Sequence, residues 1–195
     1  DTLSLHDALP ISRTHLILKS FTSRDPIFLV NMFKTYIRPL LECNTSVWSP
    51  HTLKDIDCIE RVQRYFRRYI PGLSSLSYPE RLHVLKLESL EARRLRNDCI
   101  MLFKMKIGLV RMNFNDFFIY RSSVLTERTL PRLNNFSLCY PKFSHDVRKY
   151  IFSVRTVNNW NRLLYNIVNC TSLPTFKNAL SQFNFERFVR GRALI

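Results

Sequence analysis

Apolar residues recur three and four positions apart through most of the chain, the spacing of helices with one buried face. The sharpest case is Leu53, Ile56, Ile59, Val62, Phe66, Tyr69 and Ile70, which predict one amphipathic helix. Thr52 stands at its cap position, and Asp55 three residues later completes a capping box. Upstream, residues 12–22 predict a short amphipathic helix with Leu16, Ile17 and Phe21. Asp25 caps the next, with Pro26 at the first helical position, where its missing N–H costs nothing. Ile27, Val30, Phe33, Tyr36 and Ile37 continue it until Pro39, which is expected to kink or end it. Leu40, Leu41 and Trp48 follow as bulky apolar residues. Trp48 is expected in the core, with base stacking as the other reading.

After Tyr69 the pair Pro71-Gly72 breaks the chain. Ser77 and Glu80 form a second capping box, before a short helix with Leu82 and Leu85. Ser89 caps the longest predicted helix, which runs to about Ile107 on Leu90, Leu95, Cys99, Leu102 and Phe103, and Gly108 ends it. Residues 111–145 lose clean periodicity around Phe117-Phe118, Pro131 and Pro141, which predicts a long connector with a short strand or two. Ser153 is expected to cap a helix through Trp160 and Leu164. Ser172 caps a last one, with Pro174 in its first turn and Leu173, Phe176, Leu180 and Phe183 on one side. The expected fold is mainly α: a helical bundle over 12–110, an irregular connector over 111–146, and a smaller helical C-terminal unit over 147–195. A basic tail runs from Arg187 to the last residue.

Composition narrows the classes. With 46% hydrophobic residues, fifteen Phe and only three Gly, the chain is neither low-complexity nor disordered. No apolar run approaches the roughly 20 residues needed to span a bilayer. The five cysteines are scattered singly, which predicts reduced thiols in an intracellular protein. No histidine stands at metal-ligand spacing from a cysteine or another histidine, so no metal site is expected. Residues 1–11, DTLSLHDALPI, resemble the conceptual translation of a sequencing-library adapter. They are expected to be an assembly artefact fused to a genuine reading frame, which makes the rest a fragment of a longer protein.

Charge changes the picture most. The chain carries a formal net charge of +15, and the first eleven residues hold Asp1 and Asp7 but no Lys or Arg. Such an excess of cations points to a polyanion, nucleic acid first and an anionic membrane surface second. On the helix after Thr52, Lys54, Arg61, Arg64 and Arg68 fall opposite the apolar side at 100° per residue, with Arg67 at their margin. The competing reading is an ordinary solvated face. Arg93 and Arg94 lie near the start of the longest helix, where positive charge opposes the macrodipole; pairing with Glu88 and Glu91 is the bland account. Arg148 and Arg155 are further candidates. Asp57 and Glu60 lie one turn apart beside Lys54, Arg61 and Arg64, and pairing along the helix explains them better than catalysis.

Several segments in order resemble the region after the catalytic motifs in reverse transcriptases of non-LTR retrotransposons, the jockey-like LINE elements above all. They are TYIRPLLE at 35–42, VWSP at 47–50, KDIDCIERVQRYFRR at 54–68, IPGLSSLSYPERLHVLKLESLEARRLRNDCIMLFK at 70–104, FSVRTVNNWNRL at 152–163 and SLPTFKNAL at 172–180. The resemblance implies an RNA-directed DNA polymerase whose palm carries paired aspartates and two Mg²⁺ ions. This sequence has no Asp-Asp pair, so neither catalytic residues nor Mg²⁺ are expected in it. What remains is similar to the thumb, a helical bundle that grips the template–primer duplex, with the C-terminal region that follows. The implied partners are an RNA/DNA template–primer and the missing palm and fingers of the same polypeptide, with no membrane. The implied setting is a ribonucleoprotein of cytoplasm and nucleus. Lys54, Arg61, Arg64, Arg67, Arg68, Arg93, Arg94, Arg148 and Arg155 then become candidate phosphate contacts. Trp160-Asn161 matches a family signature, but Trp160 is expected to pack in the core beside Leu163 and Leu164. Two other readings stand: an independent basic helical module that binds nucleic acid, and transposon debris without function. Neither a P-loop, nor a dinucleotide fingerprint, nor a G-x-S-x-G nucleophile motif is present.

Overall fold

Side-chain caps set most of the helix starts in the computed structural model, which describes residues 5–124, 135–142 and 144–190. The fold is mainly α. In chain order the helices are α1 (Leu5–Ser20), α2 (Pro26–Met32), α3 (Arg38–Glu42), α4 (Leu53–Arg68) and α5 (Tyr78–Val84). They continue with α6 (Leu90–Lys106), α7 (Phe152–Asn161), α8 (Tyr165–Val168) and α9 (Leu173–Ser181). Asp25 accepts the Phe28 N–H at 2.7 Å, and Thr52 accepts the Asp55 N–H at 3.1 Å. Ser77 and Glu80 close the reciprocal box that opens α5, and Ser89 accepts the Ala92 N–H at the start of α6. Each cap satisfies a backbone donor that the first turn leaves without an intrahelical partner.

Four local expectations need correction. The first helix begins at Leu5 rather than near residue 12 and continues past Pro10. Pro39 does not end the helix but stands just after a distortion of it: a π turn at Phe33–Ile37 widens the backbone before it, and Pro39 sits in the first turn of α3. Helix α7 is capped by extended Ile151, so Ser153 falls inside its first turn, and the helix stops at Asn161, with Leu164 serving as the cap of α8. Trp48 is 37% exposed and lies outside the core. Pro131 and the residues after Arg190 in the basic tail lie outside the described residues.

The chain divides into two compact units, one of Asp1–Asn44, Pro50–Arg94 and Val189–Ile195, the other of Thr45–Ser49 and Leu95–Phe188. In the first, Ile17 and Leu18 of α1, Leu29 and Val30 of α2, Phe33 and Ile37 of the π turn and Leu41 of α3 bury against Val62 and Phe66 of α4. The Phe33 and Phe66 rings meet at 5.1 Å. Burying such side chains is worth about 1.5–3 kcal/mol each, so this cluster fixes which side of α4 faces out.

In the second unit, Phe103 of α6 stacks on Phe176 of α9 at 4.0 Å, and Trp160 of α7 closes on the same ring at 6.0 Å. Trp160 is 1% exposed, as expected for a core residue, and donates its indole N–H to the Phe136 carbonyl at 2.9 Å. Asn161 grips the backbone of Leu138 on both sides, accepting its N–H at 2.8 Å and donating to its carbonyl at 2.9 Å. Adjacent residues 160 and 161 therefore hold the 136–138 segment against α7. Among the described residues, the strand expected in the connector is reduced to a single antiparallel bridge between Tyr120 and Leu138.

Candidate nucleic-acid interface

Helix α4 carries the site because its two sides differ so sharply. Ile56, Val62 and Phe66 are buried at 4% or less, which pins the rod in place. Opposite them, Lys54, Arg61 and Arg68 are exposed. These three follow one another at seven-residue intervals, two turns each, so they line up over about 21 Å of helix. Arg61 keeps 62% of its side-chain surface in water. A capped, anchored helix presents these charges with little conformational freedom in its backbone.

Arg64 and Arg67 behave differently from their neighbours. Arg64 folds back on Asp57, whose carboxylate it shares with Arg61. Partial burial alone would raise the Asp57 carboxyl, but the bonds from Arg64 and Arg61 hold it below the usual range. Arg67, expected at the margin of the stripe, falls about 120° from Arg61 on the wheel, close to Ile56; it is 1% exposed, with its guanidinium 5.1 Å from the centre of the Tyr78 ring. Leu53 and Tyr69, assigned to the apolar side from their spacing, are 48% and 46% exposed.

Glu60 also departs from the expected pairing along the helix. It is 3% exposed and accepts hydrogen bonds from the Tyr78 hydroxyl, the Gln63 amide at 3.0 Å and the Leu90 backbone N–H at 3.0 Å. Burial pushes its carboxyl upward against the opposing effects of the Tyr78 bond and of Arg67 and Arg94 nearby. Burial and the adjacent Glu60 carboxylate push the Tyr78 phenol up as well.

The remaining candidates are drawn into internal bonds, with one exception. Arg93 pairs with Glu42 and, at 3.9 Å, with Glu88. Arg94 is 2% exposed and donates to the Leu41 carbonyl at 3.2 Å. In the second unit Arg155 makes a two-pronged pair with Asp98 at 2.8 and 3.0 Å, and donates to the carbonyls of Thr45, Ser46 and Tyr150. Arg148 is the exception: it stands exposed on the 3₁₀ turn Asp146–Tyr150.

Spacing alone did not single out three rings beside the stripe. Tyr69 donates its hydroxyl to that of Tyr65 at 2.9 Å, and the Tyr65 oxygen lies 3.1 Å from Nε2 of His15 on α1. The signal for Tyr65 was available: it stands one turn from Arg61 and three residues before Arg68, so the helical wheel puts it with the cations.

Two carboxylates of α4 are taken up by internal bonds. Asp57 is turned to two arginines and Glu60 to Tyr78, Gln63 and Leu90. Among the described residues no three His, Cys, Asp or Glu side chains converge on a point. Nor, among them, is any helix long and apolar enough to cross a membrane. Comparison with protein-family models, curated proteins and solved structures finds no match to the chain.

Proposed function

We propose that this chain is a C-terminal piece of a non-LTR retrotransposon reverse transcriptase, and that α4 holds the RNA/DNA template–primer by its backbone while the chemistry happens on another part of the polypeptide. The observation that carries this reading is the common outward side of Lys54, Arg61 and Arg68 on a helix whose other side is locked in a core. The ordered run of sequence resemblances supplies the polymerase; the cationic line supplies the contact.

A polymerase advances one nucleotide at a time, so contacts behind its active site must ignore sequence. Cations on phosphates do that, whereas bidentate bonds to base edges would not. Arg61 and Arg68 point to solvent and meet phosphate directly. Arg64 is held back by its pairing with Asp57, which offsets its charge. Arg67, Arg93, Arg94 and Arg155 serve the fold instead, because their guanidinium groups are committed to internal partners.

The test is binding of the chain to a blunt RNA/DNA hybrid across a salt series. Changing Arg61, Arg64 and Arg68 together to alanine should weaken binding and flatten the log–log salt slope by about 1.4 to 1.8, at roughly 0.7–0.9 for each of the two contacts made by Arg61 and Arg68. Unchanged affinity and slope would reduce the stripe to solvated surface.

A further inference from the structure

The rings beside the cations suggest what kind of strand this surface takes. Tyr65 lies between Arg61 and Arg68 on the outward side of α4, and Tyr69 follows one turn later. His15 of α1 completes the run: its ring centre is 5.3 Å from that of Tyr65, which is 5.1 Å from that of Tyr69. The polar tips bond to one another, Tyr69 to Tyr65 and Tyr65 to His15. Their hydrogen bonds are thus met at the surface, where Tyr65 is half-buried between its two neighbours. His15 is exposed, and Tyr69 is 46% exposed.

A duplex offers this surface phosphates but no ring faces, because its bases are stacked inside. An unpaired strand offers both. Aromatic side chains set along a cationic groove or ridge are the general solution to binding unpaired strands without reading sequence. We propose that Lys54, Arg61 and Arg68 with Tyr65, Tyr69 and His15 form a site for an unpaired polynucleotide, its phosphates on the cations and a base on the exposed tyrosine face. The inference rests on the reading of α4 as a nucleic-acid surface and adds the class of strand: single-stranded template or displaced strand next to the hybrid.

Three probes separate the contributions by fluorescence anisotropy on the chain: a 12-nucleotide oligothymidylate, an abasic strand of equal length and charge, and a 12-base-pair blunt RNA/DNA hybrid. The oligothymidylate should bind roughly tenfold tighter than the abasic strand, the scale of one base stacked on one ring. Changing Tyr65 and Tyr69 together to alanine should erase that preference and leave abasic and hybrid binding in place. Changing both to phenylalanine should keep it. Equal binding of base-bearing and abasic strands by the unaltered chain would overturn the proposal, as would an equal loss on all three probes in the alanine variant. Loss of the α1–α4 contact in that variant is controlled by photocrosslinking the unaltered chain to a 5-iodouracil strand: adducts at Tyr65 or Tyr69 support the site, and adducts only elsewhere overturn it. If the arginine variants bind all three probes normally, the nucleic-acid reading itself fails. If they weaken every probe while the rings make no difference, only this inference fails.

Discussion

The carboxylate of Glu60 accepts the backbone N–H of Leu90 at 3.0 Å, thirty residues further along the chain. Leu90 is the first residue of α6, so a side chain in the middle of one helix satisfies the open end of another. Negative charge at a helix N-terminus is also favoured by the macrodipole. The arrangement joins α4, α5 and the start of α6, because Tyr78 donates to the same carboxylate.

Glu60→Ala should therefore destabilise the first unit by about 3 kcal/mol, since it strands the Tyr78 hydroxyl and the Leu90 N–H in a buried place. Glu60→Gln gives the pH dependence. Burial raises the Glu60 carboxyl above its ordinary 4.5. Below that value both folded and unfolded chains hold the proton. As pH rises, the unfolded chain releases it first, so the native state binds more protons and loses stability through the window above 4.5. The glutamine variant lacks that loss. Denaturant titrations at pH 5 and pH 8 should show a smaller cost for the variant at pH 8; an equal or larger cost there contradicts the assignment.

Arg155 plays the corresponding part in the second unit. Asp98 is 2% exposed, and Arg155 meets it with two hydrogen bonds while holding the carbonyls of Thr45 and Ser46. Removing one partner of such a pair leaves a buried charge uncompensated and costs about 3–5 kcal/mol. Arg155→Ala should lower the melting temperature by that equivalent and speed amide exchange in residues 45–49. Arg155→Lys should recover little, because an ammonium cannot reproduce the two-pronged geometry.

What the sequence made legible was local. Thr52, Ser77, Ser89 and Ser172 all cap helices, because a hydroxyl and an N–H three residues on need no tertiary information. The outward line of Lys54, Arg61 and Arg68 was legible for the same reason, being fixed by helical pitch. What escaped depended on distant chain. Tyr78 of α5 covers Arg67, although helical pitch alone already put Arg67 near Ile56 on the buried side, and Arg93 adds Glu42 to the Glu88 pairing that the sequence suggested. Trp48 looks like core from its size, yet the 45–49 segment is fixed through its backbone by Arg155 and leaves the indole 37% exposed. Tyr65 was legible from helical pitch, which puts it beside the cations; its bond to His15 of α1 was not.

Two helix ends share one geometry with different residues, which sets up a paired test. After α6, Gly108 has φ 72° and the Leu109 N–H reaches the Lys104 carbonyl at 2.9 Å. After α5, Lys86 has φ 49° and the Leu87 N–H reaches the Leu82 carbonyl at 2.9 Å. Both are left-handed C-terminal caps, a conformation that costs a residue with a Cβ about 1 kcal/mol. Nothing lies within 4 Å of a Cβ built at Gly108, so Gly108→Ala should cost only that conformational amount. Lys86→Gly should return a similar gain. Denaturant midpoints moving in opposite directions would bear this out; a destabilised Lys86→Gly would not.

Asp57 bonds to the cations of the α4 stripe, engaging both Arg61 and Arg64. Its acidity is held below the usual range by those bonds, so it stays ionised at any pH where binding is measured. In linkage terms its contribution to stability is present above the ordinary carboxylate value and is lost only as pH falls through the lowered one. Asp57→Asn keeps the shape, removes the charge and releases two guanidinium groups. If the stripe meets phosphate, the variant should bind an RNA/DNA hybrid about fivefold tighter at low salt, the scale of one unit charge near 4 Å in water. Its log–log salt slope should steepen by about 0.9 as Arg64, freed from Asp57, gains a phosphate. The same variant should be slightly less stable in the absence of nucleic acid, because the arginines then repel one another without their shared counter-charge. Tighter binding with lower intrinsic stability is an outcome that a merely solvated face does not produce; weaker or unchanged binding would count against α4 as the contact surface.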